Sequence, residues 1–290
     1  MVQSNSVNEL VSTLQDYGLL IDSYTLRLNG KIARCGTKDK PKSKNGWYVV
    51  YVHNELVNAC FGDYRSGDGT QKWCSKQNLS PLEKTIVRRN MNAFRDNFEK
   101  ERDKTLIKIR QDFSSFDLLA SEHQYLIDKG LSELVSSQLA DPFKMLCDSI
   151  IIPIRNFSGS VTGYQRIDSV GNKRYAYGSQ KAGNYYLLSP AGTGLKDCDI
   201  VFVGEGLATM ASVYLALEGY YESKTYGCLI AFDVYNIEAV VKTIRGNCPT
   251  KDIVLIADND AEAGRNIGVE VCNGIEKLYK NIKVVLPTLP

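Results

Sequence analysis

Three acidic side chains in the last third of the chain have the types and spacing of a metal-binding site. Glu205 stands between two glycines in Val203-Gly204-Glu205-Gly206, and Asp258 and Asp260 follow the apolar run Asp252-Ile-Val-Leu-Ile-Ala257. Both apolar runs read as β-strands, so each acid sits just past a carboxyl end. A glycine on either side of Glu205 permits a sharp strand-to-helix turn that holds the carboxylate outward. Asp258 and Asp260, two apart in extended chain, share a face at roughly 6–7 Å. If the two strands lie side by side, the three carboxylates converge and repel one another unless a cation sits between them. Magnesium suits such a site, being a hard ion that takes oxygen ligands, often one or two carboxylates plus phosphates. Mg2+ or Mn2+ is therefore the expected cofactor. The alternative for each acid is a simpler one, capping of the helix that follows.

The elements that must position these acids are legible as an alternation. Strands are expected at 199–203, 227–232, 252–257 and 282–286, with helices at 207–219, 236–246 and 262–279. Such alternation implies an α/β domain with a parallel sheet flanked by helices. Ligands of such sheets collect beyond the carboxyl ends of the strands. Upstream, Ile150–Arg155, Val161–Asp168, Lys173–Tyr177 and Asn184–Leu188 read as a β-meander carrying exposed basic residues. Residues 114–147 read as shorter helices, with Gly130 ending one and Pro142 near the start of another. Ser80-Pro81-Leu82-Glu83 is a capping box, and no Gly or Pro follows until after Gln111, so a long exposed helix is expected there.

Before that helix, Tyr24–Gly30, Gly46–His53, Asn58–Phe61 and Gln71–Cys74 read as the strands of a small antiparallel module. Lys38, Lys40, Lys42 and Lys44 cluster ahead of its central strand, and Trp47, Tyr48, Tyr51, Tyr64 and Trp73 are interleaved. Val7, Leu10, Val11 and Leu14 are spaced for a short amphipathic helix. Four parts are thus expected: a β module at 1–79, a helical connector at 80–147, a basic β-rich subdomain at 148–198 and the α/β domain at 199–290.

Composition excludes several classes. The 290 residues are 43% hydrophobic and 23% charged, which is enough to build a core and rules out wholesale disorder. With 35 basic against 33 acidic residues, any polyanion contact must be a local patch. No apolar run approaches the roughly 20 residues of a membrane span. No secretory signal is visible at the start, so a cytoplasmic protein without membrane contact is expected. The eight cysteines nowhere form Cys-x-x-Cys, and Cys147 and Cys228 read as small buried hydrophobes. Cys35, Cys60, Cys74 and His53 have unpaired spacing, so no zinc is expected.

Gly204-Glu-Gly-Leu-Ala-Thr-Met210, followed by Ala257-Asp-Asn-Asp-Ala-Glu-Ala-Gly264, resembles the Toprim domain shared by bacterial-type primases, topoisomerases and some nucleases. Further motifs are similar to those of DNA primases from phages, plasmids and other mobile elements. They are His123–Gly130, Ile152–Gly159, Gly163–Ile167, Gly171–Tyr175, Gly178–Gly183 and the stretch 46–74. The resemblance implies synthesis of short RNA primers from NTPs on single-stranded DNA, with a replicative helicase as partner. It assigns Glu205, Asp258 and Asp260 to metal binding and catalysis. It places Arg155, Arg166, Lys173, Arg174 and Lys181 opposite them, on template and triphosphate. Tyr164, Tyr175 and Tyr177 read as core, with base stacking as the alternative, and Trp47 and Trp73 also read as core. The lysines and tryptophans of the N-terminal module could bind single-stranded DNA or dock a helicase. No zinc ribbon and no full phosphate-binding P-loop is present in the sequence. The rival readings are a Toprim nuclease and a non-catalytic DNA-binding or helicase-loading factor.

Overall fold

The computed structural model describes residues 4–64, 69–218, 225–259 and 266–286. Asp260 and the segment Ala261–Gly264 therefore lie outside the described residues. The chain is mixed α/β and divides into two compact units, Met1–Glu101 and Arg102–Pro290.

The first unit opens with helix α1 (Ser4–Asp16), followed by strands β1 (Leu19–Leu20), β2 (Ala33–Thr37), β3 (Gly46–His53), β4 (Leu56–Asp63) and β5 (Gln71–Cys74). These strands form one antiparallel sheet in sequential order. Strand alternation gives the sheet two apolar faces. Tyr48 and Val50 join Leu10 and Leu14 of α1 in one cluster. Trp47, Val49 and Cys60 face the other way, onto Phe94 of helix α2 (Pro81–Ser115). Trp47 stacks on Phe94 at 5.5 Å between ring centroids, and Trp73 packs at the margin of the α1 cluster. The capping box forms as the sequence predicts. Glu83 Oε2 accepts the Ser80 amide at 2.9 Å and Ser80 Oγ accepts the Glu83 amide at 3.3 Å.

One expected strand is not formed. Asp22 Oδ1 accepts the amides of Tyr24 and Thr25, which turns the chain, and Tyr48 Oη then holds Arg27 N–H and the Thr25 carbonyl. The amides of residues 24–27 are thereby taken up by the turn and by Tyr48, and this stretch joins no ladder.

The second unit contains β6 (Asp117–Leu118), α3 (Gln124–Asp128), α4 (Glu133–Ser136), β7 (Lys144–Leu146), β8 (Ser149–Arg155), β9 (Val161–Ile167) and β10 (Lys173–Tyr175). Its strands form an antiparallel sheet ordered β10-β9-β8-β7-β6. Then come β11 (Tyr186–Leu188), β12 (Ile200–Gly204), α5 (Leu207–Leu217), β13 (Tyr226–Ile230), α6 (Ile237–Asn247), β14 (Asp252–Ile256), α7 (Ile267–Leu278) and β15 (Ile282–Val285). This sheet is ordered β11-β13-β12-β14-β15, with β12 to β15 parallel and β11 antiparallel at the edge. One face packs with α5 and with Ile150, Ile152, Ile154 and Ile167 of the antiparallel sheet. The other face buries Val201, Val203 and Leu255 under α6 and α7.

Three further expectations are corrected here. Asn184–Leu188 leaves the meander, because Tyr186–Leu188 pairs with β13 instead. No helix starts at Pro142, since Lys144–Leu146 pairs with β8 as strand β7. Cys147, at the turn between these strands, is exposed at φ +54° and is not a buried hydrophobe, whereas Cys228 is buried. His123 caps α3. Its Nδ1 accepts the Tyr125 amide, and Nε2 lies 2.7 Å from the Asp148 carbonyl oxygen. Among the described residues no helix is long and apolar enough to cross a membrane.

Candidate active site

Glu205 and Asp258 leave neighbouring strands at the same edge. β12 and β14 are adjacent and parallel, with Val203 opposite Leu255, so the chain reaches the two acids two and three residues further on. Gly204 makes the approach possible. A Cβ there would overlap Met210 Sδ and lie 3.2 Å from the Ile256 carbonyl oxygen. The chain then turns into α5 through Gly206 in extended conformation at φ −111°. Thr209, in the first turn of α5, donates its hydroxyl to Asp258 Oδ1 at 2.8 Å. One helix thus begins beside Glu205 and holds the carboxylate of Asp258. Both acids are half-buried.

The end of β13 is tied to the same edge. The amides of Ala231 and Phe232 donate to the carbonyls of Gly204 and Glu205, each at 2.8 Å. Phe232 sits at φ +67°, a conformation unusual for a non-glycine residue. Its carbonyl accepts the Tyr175 hydroxyl at 2.7 Å, and that hydroxyl in turn accepts from Gln165 at 2.9 Å. Burial pushes the Tyr175 phenol up to about 12, with the charges of Asp233 and Glu205 adding to the shift. The acids after β12 and β13 thus both bear on this phenol. On the far side, burial first and Asp258 second raise the Cys272 thiol of α7 to about 11.

Asp233 is a functional candidate that reasoning from the sequence missed. It follows β13 as Glu205 follows β12, so the same strand-end logic could have found it. Its Oδ2 pairs with Lys181 at 3.1 Å, and the Lys181 ammonium lies 4.5 Å from the Tyr175 ring centroid. The buried Asn236 holds the loop that carries Lys181. Its amide donates among the carbonyls of Ala231, Lys181 and Asn184, and its Oδ1 accepts the Gly183 amide at 2.8 Å.

The five basic residues singled out in the sequence do not share one surface. Lys173 is brought to the acids, with its Nζ 3.8 Å from where a Cβ on Gly206 would stand. Lys181 reaches the same edge through Asp233. Arg174 pairs with Arg166, whose β8 partner Ile151 packs on Ile109 and Phe113 of α2. Cross-strand partners share a face, so both arginines lie on the side opposite Lys173 and Tyr175. Arg155 pairs with Val161, six residues along β9 from the partner of Lys173, or about 20 Å. Its guanidinium is held by Asp141 at 2.5 and 2.8 Å and by the Gly159 carbonyl at 2.8 Å. Tyr164 is buried, whereas Tyr175 on β10 is 37% exposed and Tyr177, beyond the last paired residue of that strand, is more exposed still, so neither is a core residue.

Among the described residues no group of three or more His, Cys, Asp or Glu side chains is gathered as a metal cage. The donors at the strand ends are all oxygens, the carboxylates of Glu205 and Asp258. That donor chemistry fits a hard divalent cation and does not fit a thiophilic one.

No protein-family model matches the chain. The sequence is homologous to DNA primase TraC of Escherichia coli, 27% identical over 248 residues that make up 83% of this chain and 22% of that protein. A second DNA primase TraC of Escherichia coli is 31% identical over 111 residues, 38% of this chain and 7% of its own length. The chain therefore spans a minor part of the curated relatives it matches. Among solved structures, the primase fragment of the bacteriophage T7 primase-helicase protein superposes with a TM-score of 0.39 at 17% identity, covering 61% of this chain and 69% of that one. The DnaG primase catalytic domain bound to ssDNA gives a TM-score of 0.40 at 14% identity, covering 66% and 75%.

Proposed function

We propose that this chain is the catalytic part of a DNA primase of the plasmid and phage type, joining ribonucleotides into short primers on single-stranded DNA. The observation that carries this reading is that Glu205 and Asp258 follow adjacent parallel strands at one sheet edge, in a chain aligned over most of its length with a DNA primase. We read the part from about residue 199 as a Toprim domain and 148–198 as its basic companion. In the reaction, the 3′-hydroxyl of one ribonucleotide attacks the α-phosphorus of an incoming NTP. A new P–O bond forms, pyrophosphate leaves, and the hydroxyl gives up its proton.

Glu205, Asp258 and Asp260 offer the oxygens for Mg2+ or Mn2+, with Glu205 either a ligand or the acceptor of that proton. A divalent ion, when bound, neutralises phosphate charge and lowers the cost of deprotonating the hydroxyl. Lys173, at the Glu205–Gly206 turn, meets the negative charge of the triphosphate. Lys181, paired with Asp233, keeps its loop against that edge. Arg166 and Arg174 would touch template phosphates on the other face, and Arg155 braces the β8–β9 turn. A replicative helicase is the protein partner this reading implies.

Incubation with single-stranded DNA, labelled NTPs and Mg2+ or Mn2+ tests the reading. Short RNA products that vanish in Glu205→Gln support it. A shortened template in their place indicates a nuclease built on the same carboxylates, and a mobility shift alone indicates a binding factor.

A further inference from the structure

We propose that the first unit carries a groove for single-stranded nucleic acid, independent of the carboxylate edge and of any metal. Its first support is charge. Residues 27–44 hold seven of the 35 basic residues and one of the 33 acidic ones, so the remainder of the chain carries an acidic excess. So dense a positive patch attracts anions locally. Asp22, the nearest upstream acid, spends its carboxylate on the amides of Tyr24 and Thr25 and on the Thr25 hydroxyl. Asp39 lies within the lysine loop, and Asp63 bears on Cys35, whose thiol burial raises to about 11 with help from that charge.

Shape is the second support. Arg27, Arg34 and Lys44 line an open cavity of about 510 Å3 together with Thr25, Cys35 and Tyr48, and no carboxylate is among its described lining residues. The lysines beside it are presented on a fixed hairpin. Thr37 and Lys40 exchange amide–carbonyl bonds, the Ser43 amide donates to Lys40, and the Lys38 amide donates to Gly18. Pro41 folds so closely over Gly36 that a Cβ there would collide with its carbonyl oxygen. A preformed loop has little conformational freedom left to lose on binding.

An aromatic ring selects the class of polyanion. Tyr24 is 98% exposed and adjoins Thr25 of the groove, on a turn that Asp22 pins. A basic groove with an exposed aromatic beside it suits single strands, whose unpaired bases can stack while their phosphates meet cations. A plain anion would use only the charge.

The test is fluorescence anisotropy of labelled oligothymidylate with the full chain in EDTA, titrated at several salt concentrations. Binding without divalent ions separates this proposal from the synthesis reading, so either can fail alone. Replacing Lys38, Lys40, Lys42 and Lys44 with alanine, all exposed or half-exposed positions, should weaken binding roughly tenfold or more and reduce the salt slope by about 0.7 for each phosphate no longer neutralised. Tyr24→Ala should weaken it by about tenfold with the slope unchanged. Alanine at Lys108, Lys277, Lys280 and Lys283 changes net charge equally and should leave the slope alone. An unchanged slope in the loop variant, or an equal loss in the control, overturns the proposal. So does inorganic polyphosphate competing as well as oligonucleotide while Tyr24→Ala binds normally.

Discussion

The sheet of the first unit and the parallel sheet of the second both bury apolar side chains on two faces, yet they place their polar chemistry differently. β1 to β5 alternate in direction, so no edge collects strand ends of one sense, and charge gathers in the hairpin loop around Lys38–Lys44. β12, β13 and β14 run parallel, and Glu205, Asp233 and Asp258 all follow their carboxyl ends. Parallel topology concentrates acids at one edge. An antiparallel ribbon offers loops and faces, and β10 shows the consequence, sending Lys173 one way and Arg174 the other.

The comparison breaks most visibly at the acids. Asp258→Asn or Glu205→Gln should lower primer synthesis by roughly a thousandfold or more, with circular dichroism unchanged. Thr209→Val should cost about tenfold, because it removes a hydrogen bond to a charged carboxylate while the helix remains.

Stability should respond at a different residue. Asn236→Leu strips hydrogen bonds from Gly183, Lys181, Asn184 and Ala231 at a buried position. Chemical denaturation should show a loss of about 3 kcal/mol in the second unit. Lys181→Met, by contrast, removes a pair in which both partners are about a third exposed, so stability should move by less than about 1 kcal/mol. Its effect should appear as a severalfold rise in KM for NTP, which would mark Lys181 as a residue of the edge and not only a brace.

The smallest effect lies at the start of α2. The Lys76 ammonium and the Ser80 amide hold the Glu83 carboxyl down to about 2, below its ordinary 4.5. A carboxyl depressed in the folded state stabilises above its unfolded value and loses that contribution as pH falls. The protection of the Ser80 amide, measured as its exchange relative to the intrinsic rate at each pH, should therefore fall between about pH 4.5 and 2, and the change should disappear in Glu83→Gln.

The strand–helix alternation after residue 199 was legible because its strands are short apolar runs, the first three closed by Gly204, Asp233 and Asp258 and the last by Pro287. The adjacency of β12 and β14 was a condition the sequence could state but not decide. Face assignment was hidden, since Lys173 and Arg174 look alike until their partners Ile167 and Arg166 are known. Tyr24–Gly30 has a strand's composition, but the Asp22 turn takes the amides of Tyr24 and Thr25. Pro142 suggested a helix start, and long-range pairing of Lys144–Leu146 with β8 prevailed. Asp233 was overlooked because no glycine or second acid flags it.

Mn2+ titration followed by electron paramagnetic resonance addresses the shared carboxylate edge most directly. Binding should weaken sharply in Glu205→Gln and again in Asp258→Asn, each from a different strand. Undiminished Mn2+ affinity in either variant, with primer synthesis intact, would contradict the joint role of these two strand ends.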